Sequence, residues 1–251
     1  MRQYPFLLGG LPLLRQGRSC SINGENRTGE KGGACHADSP LGFSRKGSPC
    51  IGCIPSGAVE TLMDVTGSGI IQHIWITVTD ETDKGYFVLR DLVLRMYWDG
   101  EETPSVETPL GDFFLNGFAR GYEVSSLPMT VNPRRGMNCF LPMPFSSHAR
   151  VTVENQHAGD ICGFFFQIDC TLYDEPIPGM GSFHAQWRRQ KLTALQEDYV
   201  LLDGVQSEKG PICPKATSAA ESRIFCISGW RISLRTQNPG RGFHLASCGW
   251  L

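Results

Sequence analysis

The residues from Tyr97 to Phe114 hold the densest collection of side chains able to do chemistry. The segment reads Tyr97-Trp98-Asp99-Gly100-Glu101-Glu102-Thr103-Pro104-Ser105-Val106-Glu107-Thr108-Pro109-Leu110-Gly111-Asp112-Phe113-Phe114 and carries five carboxylates. Acids and flat rings together suit carbohydrate: carboxylates grip hydroxyls or do acid–base work, and rings stack on sugar faces. Trp98 and Asp99 are therefore candidate sugar contacts. A catalytic pair of the retaining type would need its carboxyls about 5–5.5 Å apart. Glu101 and Glu102 instead fall in a turn, where acids more commonly bond their own backbone. Asp112 precedes two phenylalanines at a packed position, so Glu107 or Asp112 is expected to brace the strand junction.

Three other groups could contact a ligand. His73 and Trp75 share one strand face, although an aromatic with β-branched neighbours commonly packs against another sheet or subunit. His184, Gln186 and Arg188 alternate with Phe183, Ala185 and Trp187, a pattern that fits either a sugar-binding stripe or a solvated strand face. Glu25, Asn26 and Arg27 lie in a Gly-flanked loop that cannot belong to a regular core element and either meets a ligand or serves as a capped surface loop. Asn26-Arg27-Thr28 also fits an N-glycosylation sequon, relevant only to an exported chain.

The elements that must position these residues are strands. Val151 and Val153 alternate with Arg150, Thr152 and Glu154, the period of a half-buried strand. From Ile161 to Tyr173, Cys162, Phe164, Phe166, Ile168, Cys170 and Leu172 form one face; Gln167, Asp169, Thr171 and Tyr173 lie opposite. Ile74, Ile76 and Val78 oppose His73, Trp75, Thr77 and Thr79, and residues 88–98 read as a further long strand. Turn signals at Pro55-Ser56-Gly57, Thr66-Gly67-Ser68-Gly69, Asp99-Gly100 and His157-Ala158-Gly159-Asp160 separate these runs. Short strands without helical periods predict a mainly β chain, a jelly-roll β-sandwich.

The expected organisation is an N-terminal extension at 1–49, with one helix at 4–15 and the loop of Glu25. A first sandwich spans 50–175, and a second begins at 176–205. Residues 206–251 hold six Lys or Arg, two acids and three cysteines without sustained alternation, and are read as an atypical, out-of-frame tail. Ile224–Ile227 and Ile232–Leu234 are its strand-like pieces.

Composition excludes several classes. A net charge of −2 and a pI near 6.3 argue against nucleic acid and anionic membranes as partners. No apolar run reaches the roughly 20 residues that cross a bilayer. Phosphate loops, nucleophile elbows and zinc-protease helices are missing from the sequence, and no cofactor or metal is expected. Cys50-Ile51-Gly52-Cys53 would need a second ligand pair for zinc, with Cys35 and His36 the nearest extra donors. Ten cysteines scattered over 251 residues read as reduced thiols of a cytoplasmic protein; a poor signal peptide at 6–14 leaves export open.

Six segments in order resemble one family. They are Ser21–Gly32, Gly69–Trp75, Trp98–Phe114, Asn138-Cys139-Phe140-Leu141-Pro142-Met143-Pro144-Phe145, Phe183–Arg189 and Asp198-Tyr199-Val200-Leu201-Leu202-Asp203-Gly204. The family is a former domain of unknown function, now grouped with glycoside hydrolases acting on α-fructofuranosides and D-arabinofuranosides, including difructose dianhydride synthase/hydrolases. The similarity covers about residues 10–205. It implies tandem jelly rolls, homo-trimers or hexamers, a fructose- or arabinose-containing glycoside as partner, and a retaining mechanism with two glutamates. In the family those glutamates follow the Asp-Tyr-x-x-Leu-Asp-Gly segment, in Gly-Glu-Gly-Glu and Gly-Thr-Gly-Thr-Glu-Asp-Tyr runs that do not occur here. No catalytic residue carries over. The expectation is a truncated relative, inactive alone, or a non-catalytic carbohydrate-binding or assembly module.

Overall fold

Period-two alternation builds two large sheets that close over one core. The structure, a computed structural model, describes residues 16–34, 36–37, 51–79, 88–117, 123–187, 189–190, 213–218 and 222–227. The elements begin with β1 (Arg18–Ile22), β2 (Val59–Thr66), β3 (Ser68–Val78), the helical turn α1 (Val88–Asp91), β4 (Leu92–Trp98), β5 (Val106–Pro109) and a second helical turn, α2 (Leu110–Phe113). After these come β6 (Val124–Ser125), β7 (Met129–Val131), β8 (Met137–Cys139), β9 (Met143–Phe145), β10 (His148–Asn155) and β11 (Phe164–Tyr173). The last are β12 (Ala185–Gln186), β13 (Arg189–Gln190), β14 (Cys213–Ser218) and β15 (Ser222–Ile227).

One sheet runs β1-β11-β3-β8-β7-β6, with β9 beside β3; the second runs β12-β5-β4-β10-β2. Ile74, Ile76 and Ile168 of the first meet Leu94, Met96 and Val151 of the second in a common core, all fully buried. Burying each such side chain contributes about 1.5–3 kcal/mol. The mainly β sandwich expected from the pattern is therefore the fold. β13, β15 and β14 form a separate three-stranded sheet.

Two local readings differ. Residues 88–98 are not one strand: Val88 and Leu89 are adjacent and both buried, which alternation forbids and a helical turn allows, so the strand starts at Leu92. Arg18–Ile22, which lacks an extended periodic pattern, forms a strand because β11 offers an antiparallel edge in register from Arg18↔Leu172 to Ile22↔Ile168. Between 182 and 189, Ala185 and Gln186 pair in parallel with Val106 and Glu107 of β5. The 4–15 helix and Ile232–Leu234 lie outside the described residues, whereas Ile224–Ile227 falls within β15.

The cysteine reading is overturned for four residues. Register places Cys20 directly opposite Cys170, and they form a disulfide with Cα atoms 5.3 Å apart. Cys53 and Cys162 flank the antiparallel bridge between Ile54 and Ile161 and form a second. Cys53 is therefore not available as a zinc thiolate. Asn155 secures the same corner from beneath, fully buried. Its Nδ2 donates to the carbonyls of Ile54 (2.9 Å) and Gly159 (3.0 Å), and its Oδ1 accepts from the His157 amide at 2.9 Å.

The cystines join residues 150 and 109 positions apart, so each removes considerable freedom from the unfolded chain. Replacing Cys20 and Cys170 together by serine is expected to lower unfolding free energy by about 2–5 kcal/mol, read by urea denaturation. Peptide mapping of the unreduced, alkylated protein should recover Cys20–Cys170 and Cys53–Cys162 as linked pairs.

Candidate functional site

The outer face of the seven-stranded sheet gathers ring and fork-shaped side chains from three strands. Its geometry rests on a bulge: Asp169 pairs with His73 but Cys170 pairs with Ile71, leaving Gln72 as the extra residue. Two successive side chains, Gln72 and His73, thus reach the outer face half-buried, while Ile71, opposite the inward Cys170, packs in the core. Bulges commonly re-aim side chains in this way.

His73 sits at the centre. Its Nδ1 donates to Asp169 Oδ2 at 3.0 Å, and its Nε2 faces Asn138 Oδ1 at 3.1 Å. Asn138 is oriented by its own Nδ2, which donates to the Gly136 carbonyl at 3.2 Å. Gln167 Nε2 donates to Asp169 Oδ1 at 2.9 Å, and Thr171 Oγ1 donates to Gln72 Oε1 at 3.1 Å. The imidazole stacks on Phe140 with centroids 4.7 Å apart and planes 8° from parallel. Trp75, half-buried, lies in the row between Gln167 and Asn138.

The charges follow from these bonds. The hydrogen bond to Asp169 raises the His73 pKa; burial opposes it, and Asn138 and the Asp169 charge reinforce it. For Asp169 burial pushes upward, but hydrogen bonds from His73, Gln167 and Ser21 and the His73 charge hold the carboxyl below its ordinary value. The face is polar, and its His73–Asp169 pair favours the charged form of each partner.

The remaining candidates are dispersed. Trp98 is 1% exposed and its indole donates to the Phe183 carbonyl at 2.6 Å, so it packs in the core with no ring face open. That placement was readable: Leu92, Leu94, Met96 and Trp98 alternate inward along β4. Asp99, at φ 55°, ties together the turn before β10. Its Oδ1 accepts from the amides of Ser146, Ser147 and His148 at 2.8, 2.7 and 3.3 Å and from the Ser147 hydroxyl. Burial opposes its ionisation, and those donors outweigh it and hold the pKa down.

Asn26 is 7% exposed. Its Oδ1 accepts the amides of Gly29 and Glu30 and its Nδ2 donates to the Glu30 carbonyl, so the sequon side chain is fully engaged in its own loop. Glu25 accepts the amides of His36 and Ala37, and Arg27 pairs with Glu60 and the Thr61 carbonyl. His184 and Gln186 are exposed beside buried Phe183 and Ala185, on the other sheet from His73; Arg188 lies outside the described residues. Asn138, Phe140, Gln167 and Asp169 are the partners sequence reasoning did not assign to the site, although Asn138 and Phe140 flank the inward Cys139 in the alternating pattern.

Asp112 does brace a junction. It is fully buried, with Arg90 Nε 3.1 Å from its Oδ2 in a contact bent away from hydrogen-bond linearity. Trp187 Nε1 donates to its Oδ1 at 3.3 Å. Burial, countered by Arg90 and Trp187, pushes its pKa up to about 6. Glu107 reaches Arg95 at 3.6 Å, and Arg95 in turn meets Glu154 at 2.5 Å.

Residues 52–163 match the family model described as GH172 domain-like. The matched stretch is less than half of the chain, runs from before β2 to the residue preceding β11, and includes His73, Trp75, Asn138 and Phe140. It supports a relation to glycoside hydrolases through this sandwich. No curated protein matches the chain.

Asp112→Ala would leave the Arg90 guanidinium buried without its carboxylate and Trp187 without an acceptor. Such a loss is expected to cost about 3–5 kcal/mol, measured by chemical denaturation. The His73 pKa is raised on folding, so its contribution is full below the unfolded value and fades as pH rises through the folded one. The Asp169 contribution runs oppositely, lost as pH falls through its lowered pKa. Unfolding free energy should therefore decline as pH rises from about 6.5 through the raised His73 pKa, with a shallower decline in His73→Gln.

Proposed function

We propose that this chain is a glycoside-hydrolase-related sandwich that binds a furanoside and does not hydrolyse it alone. The GH172 domain-like match carries the carbohydrate relation. The outer face around His73 supports it with a stripe of acceptors, donors and rings on a rigid sheet, the mixture that recognises hydroxyls and the apolar face of a sugar. The glutamate runs that would supply nucleophile and acid/base in the resembled family do not occur in these 251 residues.

Several of the carboxylates that the structure describes have other duties. Asp99 bonds a turn, Asp112 pairs with Arg90, and Glu107 and Glu154 flank Arg95. The hydrogen bond from Arg95 holds the Glu154 carboxyl below its ordinary pKa, which does not suit a proton donor. Assembly as homo-trimers or hexamers belongs to the same proposal and follows from the resemblance alone. Two cystines favour an oxidising compartment over the cytoplasm first expected.

Calorimetric titration with methyl α-D-fructofuranoside and methyl α-D-arabinofuranoside, run beside a sugar-release assay on the same compounds, tests this reading. Saturable binding to at least one sugar without release is the expected result. Release of free sugar would assign catalysis to the chain and overturn the binding-only proposal.

A further inference from the structure

Phe140 is anomalous for a side chain next to a core strand. It is 42% exposed, one of the few large hydrophobic residues so placed among the described residues, yet one of its ring faces is held flat against His73. The clamp on His73 explains why that ring does not drift. Both imidazole nitrogens face oxygen acceptors, Asp169 Oδ2 and Asn138 Oδ1. The Asn138 amide cannot turn over without losing its bond to the Gly136 carbonyl. Two acceptors require two donors, and only the imidazolium has both nitrogens protonated.

A cation against one face of an aromatic ring is attracted by its quadrupole and fixes the ring in place. The opposite face is then a rigid, pre-oriented apolar plate beside a carboxylate. Asp169 uses one oxygen for His73 and the other for Gln167, and its side chain remains 36% exposed, leaving acceptor capacity for incoming hydroxyls. Gln167 and Trp75 continue the polar rim along the next row. The imidazolium and carboxylate cancel, so the surface offers no net charge to attract an anion.

We propose that the exposed face of Phe140, backed by protonated His73, is the sugar-stacking platform, with Asp169 as hydroxyl acceptor, and that it selects a neutral sugar presenting a C–H face. This rests on the carbohydrate reading above and specifies its site. Binding is then coupled to one proton. The groups packed on the ring are Asp169 of β11, Asn138 at the centre of β8 and Phe140 just after it, while Ser21 of β1 bonds Asp169. Asp169 is the charged group bonded to the ring. When His73 deprotonates, one nitrogen is left lone pair to lone pair with an oxygen, and the clamp on the plate opens. The raised His73 pKa is consistent with this coupling.

The test is a titration of the wild type, Phe140→Ala, Phe140→Tyr, Leu127→Ala and His73→Gln with the methyl furanosides above and with fructose 6-phosphate. Each variant is first checked for its melting transition. Phe140→Ala is expected to weaken binding about tenfold; Phe140→Tyr keeps the plate and the affinity. Leu127→Ala, which alters a comparably exposed apolar residue, leaves affinity unchanged. Wild-type affinity should fall as pH rises through the His73 titration, and in His73→Gln it should be weaker and flat with pH. If the wild type binds the neutral sugars and Phe140→Ala binds equally well, the platform is refuted while the carbohydrate reading stands. Tighter binding of fructose 6-phosphate than of either neutral sugar refutes the neutral selectivity. Absence of wild-type binding to all three probes refutes the carbohydrate reading and the platform together.

Discussion

The pairing of β11 with β3 is the constraint on which the rest depends. Ten residues of β11 alternate between the core and water, and β3 matches them over its whole length except for the one-residue slip at Gln72. Shifting the register by one would carry Phe164, Phe166 and Ile168 outward and bring Gln167 and Asp169 into the core. Burying that carboxylate and amide without partners would cost several kcal/mol. The same register aligns Cys170 with Cys20 and Asp169 with His73, so one alignment sets the hydrophobic core, a covalent link and the polar outer face.

The other sheet keeps its charges quiet in a different manner. Arg95 lies between Glu107 and Glu154, Arg150 covers the Tyr97 ring at 4.2 Å, and Arg27 meets Glu60. Local cancellation of this type fits the chain's small net charge and produces no broad field to draw in a charged partner. Asp112 differs because it is fully buried and its partner Arg90 is only 14% exposed. With the Trp98–Phe183 bond, it holds 183–187 against the sandwich, so Trp98, a candidate sugar contact, and Asp112, the expected brace, both serve attachment.

Where one side of a strand meets water and the other meets the core, the sequence announces the structure. β3, β10 and β11 follow their written alternation closely. The signal fails where both directions lead to apolar surroundings, as at Val88 and Leu89, because a helical turn and a strand then place similar residues. It fails also for Gln72, whose displacement depends on what β11 does a hundred positions later. The candidate site shows the same limit: His73 and Trp75 were visible on their own strand, but Asn138 and Asp169 become partners only through strand order. The cystines were hidden for that reason, since spacing along the chain says nothing of which thiols a sheet brings face to face. Asn26 and Asp99 bond backbone groups of nearby turns, as short polar side chains in tight loops commonly do.

β1 has a consequence for the order of assembly. Its pairing partner among the described strands is β11, which a ribosome delivers about 140 residues later. Until then the amides and carbonyls of Arg18–Ile22 have only water to bond, and the outer border of β11 has nothing to receive. This earliest described strand can thus pair only after β11 has emerged, and once Cys20 and Cys170 are linked it cannot be lent to a neighbouring molecule in a domain-swapped exchange.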